Sequence, residues 1–336
     1  MLYLSDQDIA CIVRRVTVHK IMDDIISACQ ESFKAARTPY KKRDGFLISG
    51  NLVEWMPVLT KSDEVTIKLV CYFPENPNIY QKATIQSKIA HFCKKSGTVD
   101  LLADGKLITA MRTGAASAIA SRYLAKPDSH ILGIVGCGAQ AVTQIHALTR
   151  DFAFSQILAC DIDPQVQLTL AARLSLIGIH IPITFATAHD ILRQSDIICT
   201  ATSVAPCSEP VIPDGVDYVP HLHINAVGSD CPDKTELPQN LLSEAFIVPD
   251  SIEQAQAEGE CQKIDSMPEY DIFDIVQSSM LKKDQLSIFD STGLPLEDAL
   301  ALEIFKAYAE DMKLGKKLEG EIQQDAKNPY DLVYMK

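Results

Sequence analysis

The apolar positions of this chain repeat with two different periods, and the changes of period divide it into parts. Between residues 16 and 36, Val18, Ile21, Met22, Ile25, Ile26 and Cys29 recur at three- and four-residue steps, the stripe of an amphipathic helix. From Gly45 the period shortens to two, and 45–49, 52–59 and 65–73 read as strands. In the last of these Val65, Ile67, Leu69, Cys71 and Phe73 make one clean apolar face, while the opposite face carries Lys68, Val70 and Tyr72. A further strand and hairpin are predicted over 83–93 and 98–108, with Asp104-Gly105 as a turn signal. An alanine-rich helix over 113–125 should stop ahead of Pro127, because a proline pushes the residue before it out of the helical region.

From His130 short apolar runs at 131–135, 156–160, 183–185, 197–200, 223–227 and 246–248 alternate with helical stretches. That alternation is the mark of βαβ units in a doubly wound parallel sheet. Pro295 suits the first position of a last helix, with Glu297 and Asp298 at its positive end. This helix should run to about Leu314 and pack back on the first part of the chain. The expected fold is α/β: a Rossmann-type doubly wound parallel sheet over 117–299, plus a mixed α+β domain for substrate binding and dimerisation made of 1–116 and 300–336.

A length of 336 residues agrees with two domains. The net charge of −13, with no basic run interleaved with aromatics, argues against a nucleic-acid binder, whose affinity rests on clustered Lys and Arg. No apolar stretch is long enough to cross a bilayer. The opening Met-Leu-Tyr-Leu-Ser-Asp-Gln-Asp puts acids where a signal peptide needs a basic region, so a cytoplasmic protein is expected. Ten cysteines without a C-x-x-C pair then read as reduced thiols rather than disulfides or a zinc site. His221 and His223 share a strand face, but no third ligand accompanies them, and no metal is expected.

Chemistry concentrates in a few segments. Gly136-x-Gly138-x-x-Ala141 follows one strand and opens a helix, and Asp161 ends the next strand. Gly136 permits the tight turn, Gly138 a close approach to pyrophosphate, and Ala141 close helix–strand packing. The helix beginning near Ala139 aims free amides at the phosphates. Asp161 would accept from ribose hydroxyls and repel a 2′-phosphate, and no Arg follows it, which favours NAD over NADP. Arg112 directly precedes the predicted alanine-rich helix, so with the amides of Thr113 and Gly114 it is either an anion cradle or an exposed cation. Lys68 is either solvated or turned into a cleft, Glu54 stands beside the single tryptophan, and Arg43 lies in a charged turn. Asp230 follows the strand 223–227, at the carboxyl end where such folds bind ligands.

Taken together, Val53-Glu54-Trp55-Met56-Pro57, Arg112-Thr113-Gly114-Ala115-Ala116, Asn225-Ala-Val-Gly-Ser-Asp230-Cys-Pro-Asp-Lys-Thr-Glu-Leu237 and Phe289-Asp-Ser-Thr-Gly-Leu-Pro295 resemble the ornithine cyclodeaminase/mu-crystallin family, most closely its ornithine cyclodeaminase branch. Ser229 and Asp233 stand where the family carries glycine. The resemblance implies a homodimer that holds NAD and converts L-ornithine to L-proline and ammonia by an internal hydride cycle. It implies that Arg43, Lys68, Arg112 and Thr84 bind substrate, that Glu54 holds its amino groups, and that Asp230 transfers protons, with Lys68 and Glu54 beside it in the catalytic group. Thr113, Gly136, Gly138, Ala139, Gln140, Asp161, Thr200, Thr202, Val227 and Ser291 would contact the cofactor. The same fold also accommodates an amino-acid dehydrogenase, a reductase of cyclic imino acids, or a mu-crystallin-like protein that binds NADP and a small ligand.

Overall fold

The computed structural model describes residues 1–60 and 63–318, so the part of the expected 300–336 segment beyond 318 lies outside the described residues. The first sheet contains β1 (Leu2–Leu4), β2 (Asp44–Ile48), β3 (Asn51–Leu59), β4 (Val65–Tyr72), β5 (Ile85–Phe92) and β6 (Val99–Asp104), in the order β1-β6-β5-β4-β3-β2. Its members pair antiparallel except β1, which runs parallel to β6. Helix α1 (Asp6–Val16) lies against β1 and β6, α2 (Val18–Lys34) packs on α1 and on other helices, and α3 (Asn76–Tyr80) bridges β4 and β5. The predicted stripe falls on α2, where Ile21, Met22, Ile25, Ile26 and Cys29 are all buried.

The two faces of β4 are used in the opposite sense to that suggested by their composition. Lys68 and Thr66 point inward and are almost fully buried, whereas Leu69 on the apolar face is 49% exposed. The inward face is roofed by a helix and holds charged groups among buried apolar neighbours. Within one chain, Leu69 and its cross-strand partner Trp55 belong to a face left largely uncovered.

Helix α4 (Lys106–Leu124) starts well before the predicted 113, and Asp104-Gly105 is a strand-to-helix junction instead of a hairpin turn. Leu107 and Ile108 adjoin a strand, and a short apolar run does not reveal its own period. Helix α4 is buried almost all round, packing against α2 on one side and α5 (Ala139–Leu148) on the other. It therefore has no polar stripe by which its beginning could be read. Residues 116 and 117, where the two parts were divided, fall inside this helix.

The second sheet is wholly parallel: β7 (Ile131–Val135), β8 (Gln156–Cys160), β9 (Ile183–Phe185), β10 (Ile197–Thr200), β11 (His223–Ala226), β12 (Phe246–Pro249) and β13 (Ser287–Asp290), in the order β12-β13-β11-β10-β7-β8-β9. Strand β13 was not predicted; its four residues slot between β12 and β11. The helices α6 (Pro164–Ser175), α7 (Ala188–Gln194), α8 (Gln239–Glu244), α9 (Ile252–Glu258) and α10 (Ile272–Ser278) complete this half.

The chain winds outward from β7 in one direction and then crosses to β10, so the switch point lies between these two strands. Register puts Cys160, Val135, Thr200, Ala226, Asp290 and Pro249 in one row across the sheet. The residues just past that row share one crevice. Over it lies α11 (Pro295–Met312), which packs on α2, α4, β3 and β4, as the length of the tail helix led us to expect. Strand β14 (Lys316–Lys317) pairs with β1 and completes the first sheet. Among the described residues no helix is long and apolar enough to cross a membrane.

Candidate active site

At the switch point Gly136 has φ +92°, and a Cβ there would lie 2.7 Å from the Ala201 carbonyl oxygen, so glycine is required. Helix α5 begins at Ala139 with no side-chain cap, which leaves its first amides for a ligand phosphate. Asp161 is tied to this loop, accepting from the amide of Cys137 at 2.6 Å and from that of Asp163 at 2.8 Å. Thr200 and Thr202 donate their hydroxyls, each at 2.6 Å, to the buried carboxylate of Glu236. Glu236 also accepts from the amides of Thr202 at 2.7 Å and Gly228 at 2.8 Å. Val227 is buried just past β11, and Gln140 accepts from Thr143 at 2.8 Å. Thr113 turns its hydroxyl to the Thr109 carbonyl within α4. The Ser291 hydroxyl is buried without a partner. Buried polar atoms are nearly always satisfied, so this orphan, together with the loop and the bare helix end, fits a dinucleotide.

Beside that crevice lies a buried cluster of ions. Arg112 sits inside α4, so the amides of Thr113 and Gly114 are not free and the cradle read from the sequence does not exist. Its anions come from α11: Nη1 meets Glu297 Oε2 at 2.8 Å and Nε meets Asp298 Oδ1 at 3.2 Å. Lys68 Nζ meets the other Asp298 oxygen at 2.7 Å, and the Thr109 hydroxyl donates to Oδ1 at 3.1 Å. Glu297 and Asp298 stand in the first turn of α11, as expected, and are in addition fully buried counter-ions. Gly293, with φ +93°, makes room for the guanidinium: a Cβ there would lie 2.7 Å from Arg112 Nη1. Burial pushes Glu297 up to about 7. Burial and the charge of Arg112 push Lys68 down to about 8. For Asp298 burial is outweighed by Arg112 and Lys68, and its pKa lies below the usual value. At neutral pH Lys68 and Arg112 thus face Asp298 and a half-neutral Glu297, with the buried Asp250, pushed up to about 6 by burial, also acting on Arg112.

A second group adjoins it. Arg43 Nε meets Glu258 Oε1 at 2.5 Å, Nη2 donates to the Asp230 carbonyl at 3.1 Å, and Nη1 stands 3.8 Å from Glu54 Oε2. Lys234 Nζ holds Asp230 Oδ1 at 2.9 Å, and the Asp230 side chain is 48% exposed. Burial raises the pKa of Glu54 and of Glu258, partly offset by Arg43. The Ser229 hydroxyl donates to the Lys234 carbonyl and ties the loop around Asp230. Asp233 takes φ +62°, the left-handed region that suits the glycine usual there. Thr84 lies half-buried just ahead of β5, and among the described residues no hydrogen bond joins its side chain to these groups.

Sequence reasoning missed Glu258 altogether and gave no role to Lys234 or Glu236, although both stand in the segment quoted with Asp230. The available signal was charge balance. Three cations assigned by resemblance to one substrate site require anions if they are buried, and Glu297-Asp298 was an adjacent pair of acids whose only other assignment was a helix end.

A switch-point glycine loop with a bare helix end behind it defines a Rossmann-type dinucleotide fold, and a buried cluster of ion pairs adjoins it. The chain belongs to the ornithine cyclodeaminase/mu-crystallin family, whose family model matches residues 7–313. The L-lysine cyclodeaminase of Streptomyces rapamycinicus is 36% identical over 341 residues, covering 98% of each chain. Among solved structures, a lysine cyclodeaminase studied for recognition of L-lysine, L-ornithine and L-2,4-diaminobutyric acid superposes with a TM-score of 0.94 at 39% identity, over 99% of both chains. An archaeal alanine dehydrogenase dimer with bound NAD superposes with a TM-score of 0.83 at 25% identity, over 95% of this chain and 99% of that one.

Proposed function

We propose that this protein is an NAD-dependent cyclodeaminase of L-α,ω-diamino acids, taking L-lysine to L-pipecolate, and L-ornithine to L-proline, with release of ammonia. The observation that carries the reading is the excess of acid around Arg43. Three carboxylates, Glu54, Glu258 and Asp230, have only two cations in ion-pair contact, Arg43 and Lys234, while Lys68 and Lys42 act on Glu54 and Glu258 from further off. A substrate with a second ammonium group supplies the missing positive charge, whereas a monoamino or dicarboxylic substrate does not. The full-length likeness to an L-lysine cyclodeaminase supports lysine over the ornithine expected from sequence.

Lys68 and the free edge of Arg112 hold the α-carboxylate, and Glu54 receives the amino end. Asp230 takes and returns protons at the substrate nitrogens, and its half-exposed carboxylate lets ammonia leave toward solvent. When bound, NAD supplies a hydride acceptor that gives the hydride back within the same turnover. Purified protein with NAD and lysine or ornithine should therefore release ammonia with no steady rise at 340 nm. Steady NADH formation would instead make it an amino-acid dehydrogenase.

Two coarser features go with this reading. The uncovered apolar face of the first sheet, with Leu59 38% and Leu69 49% exposed, supports a homodimer, which light scattering would register as twice the chain mass. The ten cysteines are all free thiols, which supports a reducing, cytoplasmic setting.

A further inference from the structure

We infer that Glu258, the last residue of α9, is a positioning residue that sets which edge of Arg43 the substrate meets. The inference rests on the cyclodeaminase reading and adds a residue to it. Arg43 leaves a run whose neighbours Lys41, Lys42 and Asp44 are exposed, and it alone turns inward to 8% exposure. Its guanidinium has five N–H donors in a rigid fork, so fixing one edge fixes all of them. Glu258 takes Nε at 2.5 Å and the Asp230 carbonyl takes Nη2 at 3.1 Å. That leaves Nη1 aimed toward Glu54 but 3.8 Å from it, beyond hydrogen-bond reach, as the donor edge not already taken.

Without Glu258 the guanidinium would be free to turn onto Glu54 and use up that edge. Glu258 also brings Arg43 into register with the proton-transfer loop. The turn directly after it, Glu260–Lys263, clamps the loop that carries Asp230. Glu260 accepts from the amides of Glu236 at 2.8 Å and Leu237 at 3.3 Å. Gln262 accepts from the amide of Asp233 at 2.7 Å and donates to the Lys234 carbonyl at 2.9 Å. One short segment therefore holds both Arg43 and the backbone around Asp230.

The test is a double-mutant cycle on ammonia release from L-lysine, with NAD titration and thermal unfolding as folding controls. Glu258→Ala removes a charge-assisted hydrogen bond and should raise KM about tenfold or more while kcat changes far less. Glu258→Gln still accepts from Nε and should restore most of the affinity. In an Arg43→Ala background Glu258→Ala should add little, because its effect passes through the guanidinium. If Glu258→Ala does not fold, Glu258→Met, which keeps the volume but accepts nothing from Nε, carries the same comparison against Arg43→Ala. An unchanged KM in a folded Glu258→Ala protein, or full additivity with Arg43→Ala, would overturn the assignment while leaving the cyclodeaminase reading intact. A wild-type protein that released no ammonia from any diamino acid would overturn both.

Discussion

Lys68→Met separates recognition from stability within the buried cluster. Lysine here meets Asp298 at 2.7 Å with both groups out of water, and burial together with Arg112 has pushed its pKa from 10.5 down to about 8. That displacement represents roughly 3 kcal/mol against the charged form. Methionine has nearly the same length and removes that penalty with the ammonium. Asp298 keeps Arg112 Nε at 3.2 Å and the Thr109 hydroxyl at 3.1 Å on Oδ1, and only Oδ2 loses its partner. The loss should thus fall well short of the ~3–5 kcal/mol that stripping a buried pair of one partner costs. A net change within about 2 kcal/mol, and so a Tm shift of a few degrees, is expected.

Substrate binding should behave differently. The α-carboxylate loses a charge-assisted hydrogen bond, about 1.5–3 kcal/mol, which lowers kcat/KM by about tenfold to a hundredfold or slightly more. The sign with pH follows from the same group. Its charge is complete below about pH 8 and lost above it, so in wild-type protein carboxylate affinity declines as pH rises through about 8. Lys68→Met should lack that decline. Between about pH 8 and 10.5 the folded chain has released a proton that the unfolded chain keeps, so this residue makes stability rise with pH there. Ammonia release at subsaturating lysine across pH 6.5–9.5 (range chosen to bracket a pKa of about 8), beside NAD titration and thermal melts, measures all three. A variant with kcat/KM within about threefold of wild type at every pH would refute the placement of Lys68 against substrate, since the lost hydrogen bond is worth at least about tenfold.

Asp230→Asn should fold and bind NAD while losing about 100- to 10,000-fold in kcat, read by ammonia release; near-normal turnover would remove Asp230 from the chemistry. Asp290 is fully buried, accepts from the Cys261 amide at 2.9 Å, and is pushed up to about 7 by burial. Between 3.8 and about 7 the folded state keeps a proton that the unfolded state has released, so stability falls as pH rises through that window. Asp290→Asn should therefore raise Tm at pH 8 by several degrees and do so much less at pH 5, and a gain equal at both values would contradict the account. Glu236→Gln turns an amide NH2 toward the donors of Thr200, Thr202 and Gly228, and should cost about 2–4 kcal/mol in urea unfolding, with activity falling as the loop loosens. A loss under about 0.5 kcal/mol would show that the four bonds are not made together.

The parts of this molecule that were legible in sequence are those whose signal is local. Six of the seven parallel strands are short apolar runs, and the glycine loop is written in consecutive residues because one backbone turn demands it. Strand β13 escaped because four residues, two of them polar, carry too little pattern. The counter-ions escaped for a different reason. Arg43 and Glu258 are 215 residues apart, and Arg112 and Glu297 are 185 apart, so no window along the chain contains both members of either pair. Helix α4 shows the same limit in packing. A helix covered on every side has no polar stripe, and Arg112 was consequently assigned to a helix end that lies two turns further back.

The faces of β4 carry this argument furthest. Alternation told correctly that the faces differ, and the ordinary rule then puts the apolar one inside. Here the inside must hold Lys68 against Asp298 and leave space for a charged ligand, so it cannot be the apolar face. Leu69, Ile67 and their neighbours on β3 are displaced outward, where a single chain leaves them partly bare. An inverted sheet of this kind is a statement about function and assembly at once. On the proposed reading the interior is polar because it binds substrate, and the exterior is apolar because a second copy of the chain covers it. Leu69→Lys on that outer face should accordingly shift the protein toward monomer while leaving the buried ion pairs of β4 in place. Retention of the dimer in light scattering would show that the two faces of β4 are not linked in this way.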